Sequence, residues 1–94
     1  MVKKQLVVVA YDISGNKRRK KVSDLLEKFG NRVNYSVFEC LISSQKLKKL
    51  KIEADTLIDR KKDSILYYPL CSSCIEKIDR HGNLSKLVEQ VMSV

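Results

Sequence analysis

The sequence predicts one small α+β domain in which a short central strand leads into a strongly basic helix. Residues 6–11 form an apolar, β-branched run that is too short to span a membrane and that favours a strand over a helix. Residues 22–29 and 47–58 repeat apolar side chains at helical spacing, with strand-like segments between and after them. A chain of 94 residues forms a thin core, which dimerisation would help to stabilise.

The charge of the chain indicates the chemistry of its partner. Nineteen Lys and Arg against 11 Asp and Glu give a net charge of +8, in a composition typical of a folded chain. This excess predicts a polyanion, with nucleic acid preferred over a membrane surface. The alternative is that the cations only maintain solubility. Five consecutive cations at 17–21 favour an anionic partner, because they repel one another without one.

The first strand and helix follow from residues 5–30. Residues 5–12 predict the strand, and Ser14 or Asn16 is expected to cap the helix that follows. Gly30 is expected to end that helix. Arg18 borders the apolar stripe, from which it can reach towards the end of the first strand. The stripe consists of Val22, Leu25, Leu26 and Phe29.

The second half of the domain begins at residues 32–42, which predict either a hairpin of two short strands or one strand with a bulge. Ser43 or Ser44 is expected to cap a second helix, which the basic run at 60–62 ends. Residues 63–70 predict a strand that Pro69 either closes or marks as an edge. The apolar face of the second helix consists of Leu47, Leu50, Ala54, Leu57 and Ile58.

The order strand, helix, strand pair, helix, strand is that of the ferredoxin-like β-α-β-β-α-β sandwich. We expect a single domain over residues 1–94, with a core at about 5–70 and a C-terminal extension at 71–94. Helical spacing recurs at 84–92. Whether the extension packs on its own subunit or on a dimer partner is left open.

Cysteine usage predicts a reducing compartment. The chain has three cysteines, an odd number, and the apolar run after Lys4 is too short for a secretion signal, so we expect a cytoplasmic protein. Cys71 and Cys74 form a Cys-x-x-Cys pair that we interpret as structural or incidental. The alternatives are a redox pair, or half a zinc site completed by Cys40 or His81.

Asp12 is the strongest candidate for catalysis. A carboxylate at the end of a strand can hold Mg²⁺ or Mn²⁺, which polarises a phosphodiester and activates water. The alternative is a turn cap, with Asp12 accepting hydrogen bonds from the backbone of Ser14 or Gly15. One carboxylate is too few for a firm metal site, whereas a dimer that brings two Asp12 side chains together supplies a second.

Nucleic-acid contact is expected from the basic start of the first helix, because Lys and Arg neutralise phosphates without reading sequence. Tyr35 and Phe38 can stack on bases, but core packing is the preferred interpretation of both. The expected phosphate-contacting residues are Lys17, Arg18, Arg19, Lys20 and Lys21.

Two motifs carry a resemblance to a known family. Val-Ala-Tyr-Asp-Ile at 9–13 and Val-Asn-Tyr-Ser-Val-Phe-Glu at 33–39, with Arg18-Arg19 between them, resemble the CRISPR-associated protein two family. This is the small adaptation protein of prokaryotic CRISPR systems. The resemblance covers most of residues 6–75. One departure is Asn34, where the family usually has Gln.

The resemblance implies a ferredoxin-like homodimer whose sheets face each other, so that two Asp12 residues share a divalent metal. It also implies an endonuclease acting on RNA or duplex DNA, and a bridge in the integrase complex that inserts new spacers. Arg18 and Arg19 would face phosphate, and the residues adjacent to the site would be Tyr11, Ser36 and Phe38. The alternative function is a non-enzymatic RNA-binding or toxin-like module of the same fold.

Overall fold

A computed structural model describes residues 3–79 and 81. Its strands form one antiparallel sheet in the order β2-β3-β1-β4, which places β1 in the interior of the sheet and β2 and β4 at its edges. This confirms the predicted ferredoxin-like β-α-β-β-α-β order. The elements are β1 (Lys4–Asp12), α1 (Asn16–Glu27), β2 (Asn31–Asn34), β3 (Val37–Ser43), α2 (Ser44–Asp55), β4 (Ser64–Leu70) and α3 (Ser72–Glu76).

The hydrophobic core lies between the sheet and helices α1 and α2. Because side chains alternate across a strand, Val7, Val9 and Tyr11 of β1 all face the helices. Phe38 and Cys40 lie opposite Val9 and Val7 in the β1–β3 register. The helices contribute Val22, Leu25, Leu26, Leu47, Leu50 and Ala54.

The other face of the sheet carries the second set of alternating side chains. Val8 pairs with Tyr68, Ala10 with Leu66, and Asp12 with a serine of β4. Tyr68 and Leu66 are 50% and 53% exposed. We call Val8, Ala10, Asp12, Leu66 and Tyr68 the open sheet face. These five residues are mainly apolar and end in one acid, and Glu39 of β3, which lies opposite Val8, adds a buried acid to the same side of the sheet.

The start of α1 differs from the prediction. Its N-cap is Gly15, which makes no side-chain capping bond, so the expectation that Ser14 or Asn16 would cap the helix is wrong. Both side chains are engaged elsewhere. Ser14 bonds to Asp63, and the Asn16 side-chain oxygen accepts from Arg19 at 2.6 Å.

The start of α2 agrees with the prediction, because the Ser43 hydroxyl accepts a hydrogen bond from the Lys46 amide at 3.2 Å. The helix ends at Asp55, before the basic run at 60–62 that was expected to end it. Leu57 and Ile58 still pack on the core beyond the last helical turn.

Gly30 is required by a close approach between elements. Helix α1 already ends at Glu27, with Lys28 as its C-cap, so Gly30 is not the residue that ends it. A Cβ atom at Gly30 would lie 2.2 Å from the Glu39 carbonyl oxygen and 2.6 Å from the Cys40 sulfur. The chain therefore needs a residue without a side chain where it passes close to the backbone of β3.

The hairpin and the last strand resolve two alternatives. Residues 32–42 form two strands, β2 and β3, with a register irregularity between Arg32 and Asn34. Pro69 lies within β4, which pairs with β1 alone among the described strands and is therefore an edge. The predicted helix at 84–92 lies outside the described residues. No helix in the described part of the chain has the length and apolar character needed to cross a bilayer.

Candidate active site at the end of the first strand

Asp12 is the last residue of β1, and its side chain is exposed at the end of the open sheet face. The proposed turn cap is made by a different acid, because the Ser14 amide donates to Asp63 Oδ1 at 3.1 Å. Within residues 3–79 and 81, no hydrogen bond or ion pair engages the Asp12 carboxylate. The turn-cap alternative for Asp12 is therefore wrong, and its oxygens are available to a ligand.

Asp63 fixes the loop that follows Asp12. Its side chain is fully buried and accepts hydrogen bonds from Arg18 Nε at 2.7 Å and from the Asp59 amide at 2.9 Å, in addition to that from Ser14. The Arg18 hydrogen bond is the main reason that the pKa of Asp63 lies well below its usual range, and it outweighs the burial of the carboxylate. One ionised side chain thus ties the β1–α1 loop to the α2–β4 loop.

Arg18 reaches the end of β1, as its position in the helix predicted. Its Nε and Nη2 contact Asp63, and Nη2 also lies 3.1 Å from the Ser14 hydroxyl. The Arg18 side chain is 34% exposed. The hydrogen bond with Asp63 raises the pKa of the Arg18 guanidinium, so the charge is permanent. In this position Arg18 stabilises the loop beside Asp12, and its contact with phosphate stays a prediction.

A depression of about 630 Å³ opens beside Asp12. Its rim combines one carboxylate with three cations, Arg19, Lys20 and Arg32, so its potential favours an anion. Arg19 is held in place by the Ile13 carbonyl oxygen at 2.8 Å. The other lining residues are Tyr11, Ile13, Asn16, Ser23, Tyr35 and Ser36.

The basic segment divides into distinct groups. Arg19 and Lys20 line the depression with Asp12, and Lys20 also contacts Asp24 at 3.2 Å. Lys17 and Lys21 are exposed on α1 outside that lining. Of the five predicted phosphate contacts, two therefore share a concave surface with the predicted catalytic acid.

Sequence reasoning missed Arg32. This residue of β2 lies opposite Phe38 in the register, and its guanidinium carbon is 4.8 Å from the centre of the Phe38 ring. Its Nη1 donates to the Tyr35 carbonyl oxygen at 2.5 Å, and its Nη2 donates to the Ser23 hydroxyl. The sequence feature that could have identified Arg32 is its positive charge on the strand predicted to pair with the strand of Phe38.

The aromatic residues near the site have different roles. Phe38 is fully buried, with its ring centre 6.3 Å from that of Tyr11, so the core interpretation of Phe38 is correct. Tyr35 is 91% exposed, so the same interpretation of Tyr35 is wrong. The Tyr11 hydroxyl donates to the Tyr35 carbonyl at 3.1 Å, and the Tyr11 amide donates to the Ser36 carbonyl at 3.0 Å. Tyr11 therefore anchors the turn that forms one wall.

The donor set is compatible with a hydrated divalent cation. Mg²⁺ binds proteins through one or two carboxylates and completes its shell with water and substrate phosphate. Asp12 supplies an exposed, unengaged carboxylate, and the neighbouring cations suit the phosphate. Among the described residues no cluster of three or more acidic, His or Cys side chains forms a metal cage. The described residues of one chain thus offer Asp12 as a single candidate carboxylate ligand at this position.

By its fold and this site, the chain is a small ferredoxin-like domain with an acid at the end of the first strand and a charged depression beside that acid. The family model described as CRISPR associated protein Cas2 matches residues 5–78 of the chain. The chain belongs to this family.

Relatives of the chain carry enzymatic names. It is 43% identical over 77 residues to the CRISPR-associated endoribonuclease Cas2 3 of Synechocystis, covering 82% of this chain and 84% of that protein. It is 39% identical over 82 residues to the CRISPR-associated endonuclease Cas2 of Halalkalibacterium halodurans, covering 82% and 85%. A chain of a partial Cas6-RT-Cas1–Cas2 complex is similar with a TM-score of 0.71 and 28% identity, covering 81% of this chain and 83% of that one.

Proposed function

We propose that this chain is a CRISPR adaptation protein that acts as a dimer, binds nucleic acid, joins a Cas1-type integrase and hydrolyses phosphodiesters with Mg²⁺ or Mn²⁺. The observation that carries the proposal is the free Asp12 carboxylate beside Arg19, Lys20 and Arg32. The enzymatic names of its relatives support hydrolysis of RNA or DNA. The similarity to a chain in a Cas1–Cas2 complex supports the integrase partner.

The proposed chemistry assigns a separate task to each group. Arg19, Lys20 and Arg32 bind the phosphate and hold it against the end of β1. Asp12 is the metal ligand and the catalytic residue, and a bound Mg²⁺ supplies a Lewis acid and an activated water. Tyr11 and Phe38 act indirectly, because both are buried and support the wall of the depression.

The proposed dimer places the open sheet faces of two subunits together. Leu66 and Tyr68 expose apolar surface on an edge strand, and burying it against a second copy would gain about 25 cal/mol per Å². The same packing would bring one Asp12 from each subunit towards the two-fold axis. A second copy would therefore bury the exposed apolar surface and supply a second carboxylate for the metal.

Cleavage is tested with Asp12→Asn, which keeps the shape of the side chain and removes its charge. We expect Mg²⁺-dependent cleavage to fall by at least about 100-fold, while nucleic-acid affinity and melting temperature change little. Asp55→Asn is the matched control, because Asp55 is an acid on α2 that pairs with Arg60 outside the depression. Wild-type cleavage by the Asp12 variant would refute the catalytic assignment.

The dimer is tested by sedimentation of Tyr68→Asp, which puts a charge on the open sheet face. We expect a shift from dimer to monomer and loss of integrase binding. Ile52→Asp is the control, since Ile52 is 60% exposed on α2 and the substitution likewise puts a carboxylate in place of an exposed hydrophobic side chain. A Tyr68 variant that remains dimeric would contradict this packing, and the Asp12 result would still stand by itself.

A further inference from the structure

Two thiols lie together where the last described strand ends. Cys71 directly follows β4 and is the N-cap residue of α3, and Cys74 lies within that helix. Their sulfur atoms are 3.3 Å apart, and both residues are exposed. The third thiol, Cys40, belongs to β3 and is buried in the core. The chain therefore combines an accessible sulfur pair with one protected sulfur.

The surroundings of the pair distinguish the two sulfurs. The Cys71 sulfur lies 3.1 Å from the Ser73 hydroxyl, and hydrogen bonds with Ser73 and with the backbone and side chain of Cys74 lower the pKa of Cys71 to about 7. The adjacent Cys71 sulfur raises the pKa of Cys74. Burial raises the pKa of Cys40 to about 11. Cys71 is thus the best nucleophile of the three, and Cys74 is placed to react second.

We propose that Cys71 and Cys74 form a redox-reactive dithiol, which a low-molecular-weight disulfide oxidises to an intramolecular disulfide. The Cys71 thiolate attacks one sulfur of the oxidant, forming a mixed disulfide and expelling one thiolate of the oxidant. Cys74 then loses its proton and attacks the Cys71 sulfur, which expels the second thiolate. Two protein thiols are oxidised and one small disulfide is reduced to two thiols.

The geometry needs only a local adjustment for this reaction. A disulfide requires the sulfurs to approach to about 2.05 Å, so a separation of 3.3 Å closes by rotation of exposed side chains. A metal site is less well supplied, because the described residues offer no third ligand beside the pair. The proposal is independent of the nuclease function, and either can fail alone.

The test incubates the full chain in buffers of reduced and oxidised glutathione, followed by alkylation and mass spectrometry of the intact protein. As the oxidised share rises, we expect loss of two of the three alkylatable thiols, with Cys40 alkylated only after denaturation. In Cys74→Ser, the mixed disulfide with glutathione should accumulate at Cys71. In the Cys71→Ser variant, the mixed disulfide with glutathione should form at Cys74, and more slowly.

A second measurement follows alkylation of Cys71 against pH in the reduced protein. We expect its rate to be half-maximal near pH 7, compared with about 8.5 for an ordinary thiol. The proposal is overturned if both exposed thiols stay alkylatable at every glutathione ratio, or if the disulfide joins two chains. Reaction of Cys40 in the native protein would reveal unfolding, and Ala in place of Ser at Cys71 and Cys74 then provides a second set of variants.

Discussion

Substitutions of Phe38 distinguish its contribution to core stability from its effect on the candidate site. The Phe38 side chain is fully buried, pairs across the sheet with Val9 and lies against the ring of Tyr11 and the guanidinium of Arg32. Removing a buried Phe side chain to Ala costs about 3–5 kcal/mol. In a domain of this size each kcal/mol lowers the melting temperature by about 4–8 °C, so we expect a fall of at least about 12 °C.

Phe38→Leu is the informative partner of that variant. Leu is apolar and closer in volume, so the cost should be under about 1.5 kcal/mol if the core repacks. The contact between Arg32 and the aromatic face is lost in both variants. Because Phe38 has no exposed surface with which to touch a substrate, any loss of cleavage by folded Phe38→Leu reports displacement of Arg32 or of the Tyr11 ring, both of which lie against Phe38.

Thermal unfolding at one fixed protein concentration measures the first effect, and Mg²⁺-dependent cleavage well below the melting temperature measures the second. The reasoning is refuted if Phe38→Ala melts within a few degrees of the wild type. It is also refuted if Phe38→Leu cleaves normally while Arg32→Leu does not, since Phe38 would then not position that guanidinium.

Three further changes test the loops and the basic helix. Gly30→Ala should lower stability by about 3 kcal/mol in denaturant unfolding, because the new Cβ meets backbone, whereas Gly15→Ala meets only the end of a side chain and should be milder. Asp63→Asn should lower the free energy of unfolding at pH 7 and make that free energy less dependent on pH below about pH 4. Its depressed pKa stabilises the fold above about pH 4, and this contribution is lost as pH falls through the folded-state pKa. Replacing three lysines of α1 with serine should reduce the slope of log affinity for nucleic acid against log salt concentration by about 2.7. These are Lys17, Lys20 and Lys21.

Controls for the lysine variant keep the other contacts intact. Arg18 is left unchanged because it holds Asp63. A control variant replaces three lysines of α2 with serine and so loses the same charge. It should change the salt dependence of binding less than the α1 variant if nucleic acid binds mainly to α1. An equal change in both variants would contradict a specific role for α1. The control positions are Lys46, Lys48 and Lys49.

Local periodicity was sufficient to predict the main elements of the fold, although it left the β2–β3 hairpin open and did not predict α3. The β-branched run ending at Asp12 became the interior strand, and the stripe from Val22 to Leu26 became the buried side of α1. These patterns depend on neighbours three or four residues away in a helix, or two in a strand, and such neighbours are visible in the sequence. The cap of α1 was not predictable in this way, because Ser14 binds an acid far away in the chain.

The site was harder to predict, because it depends on strand register and on loops that meet in space. Arg32 becomes a wall of the depression only when β2 pairs with β3 and places it opposite Phe38. Tyr35 is aromatic and was assigned to the core, but it occupies the turn after β2, where its side chain is exposed. Composition identifies such residues without identifying the face on which they lie.

The two aspartates show how the fold separates stability from chemistry. A carboxylate that accepts several hydrogen bonds and an arginine ion pair has no oxygen left for a metal, and that is the state of Asp63. By engaging Ser14 and Arg18, Asp63 fixes the loop that a turn cap by Asp12 would otherwise have organised. Asp12 is left exposed at the end of a rigid interior strand, next to cations that suit phosphate. The availability of one acid therefore depends on the complete engagement of the other.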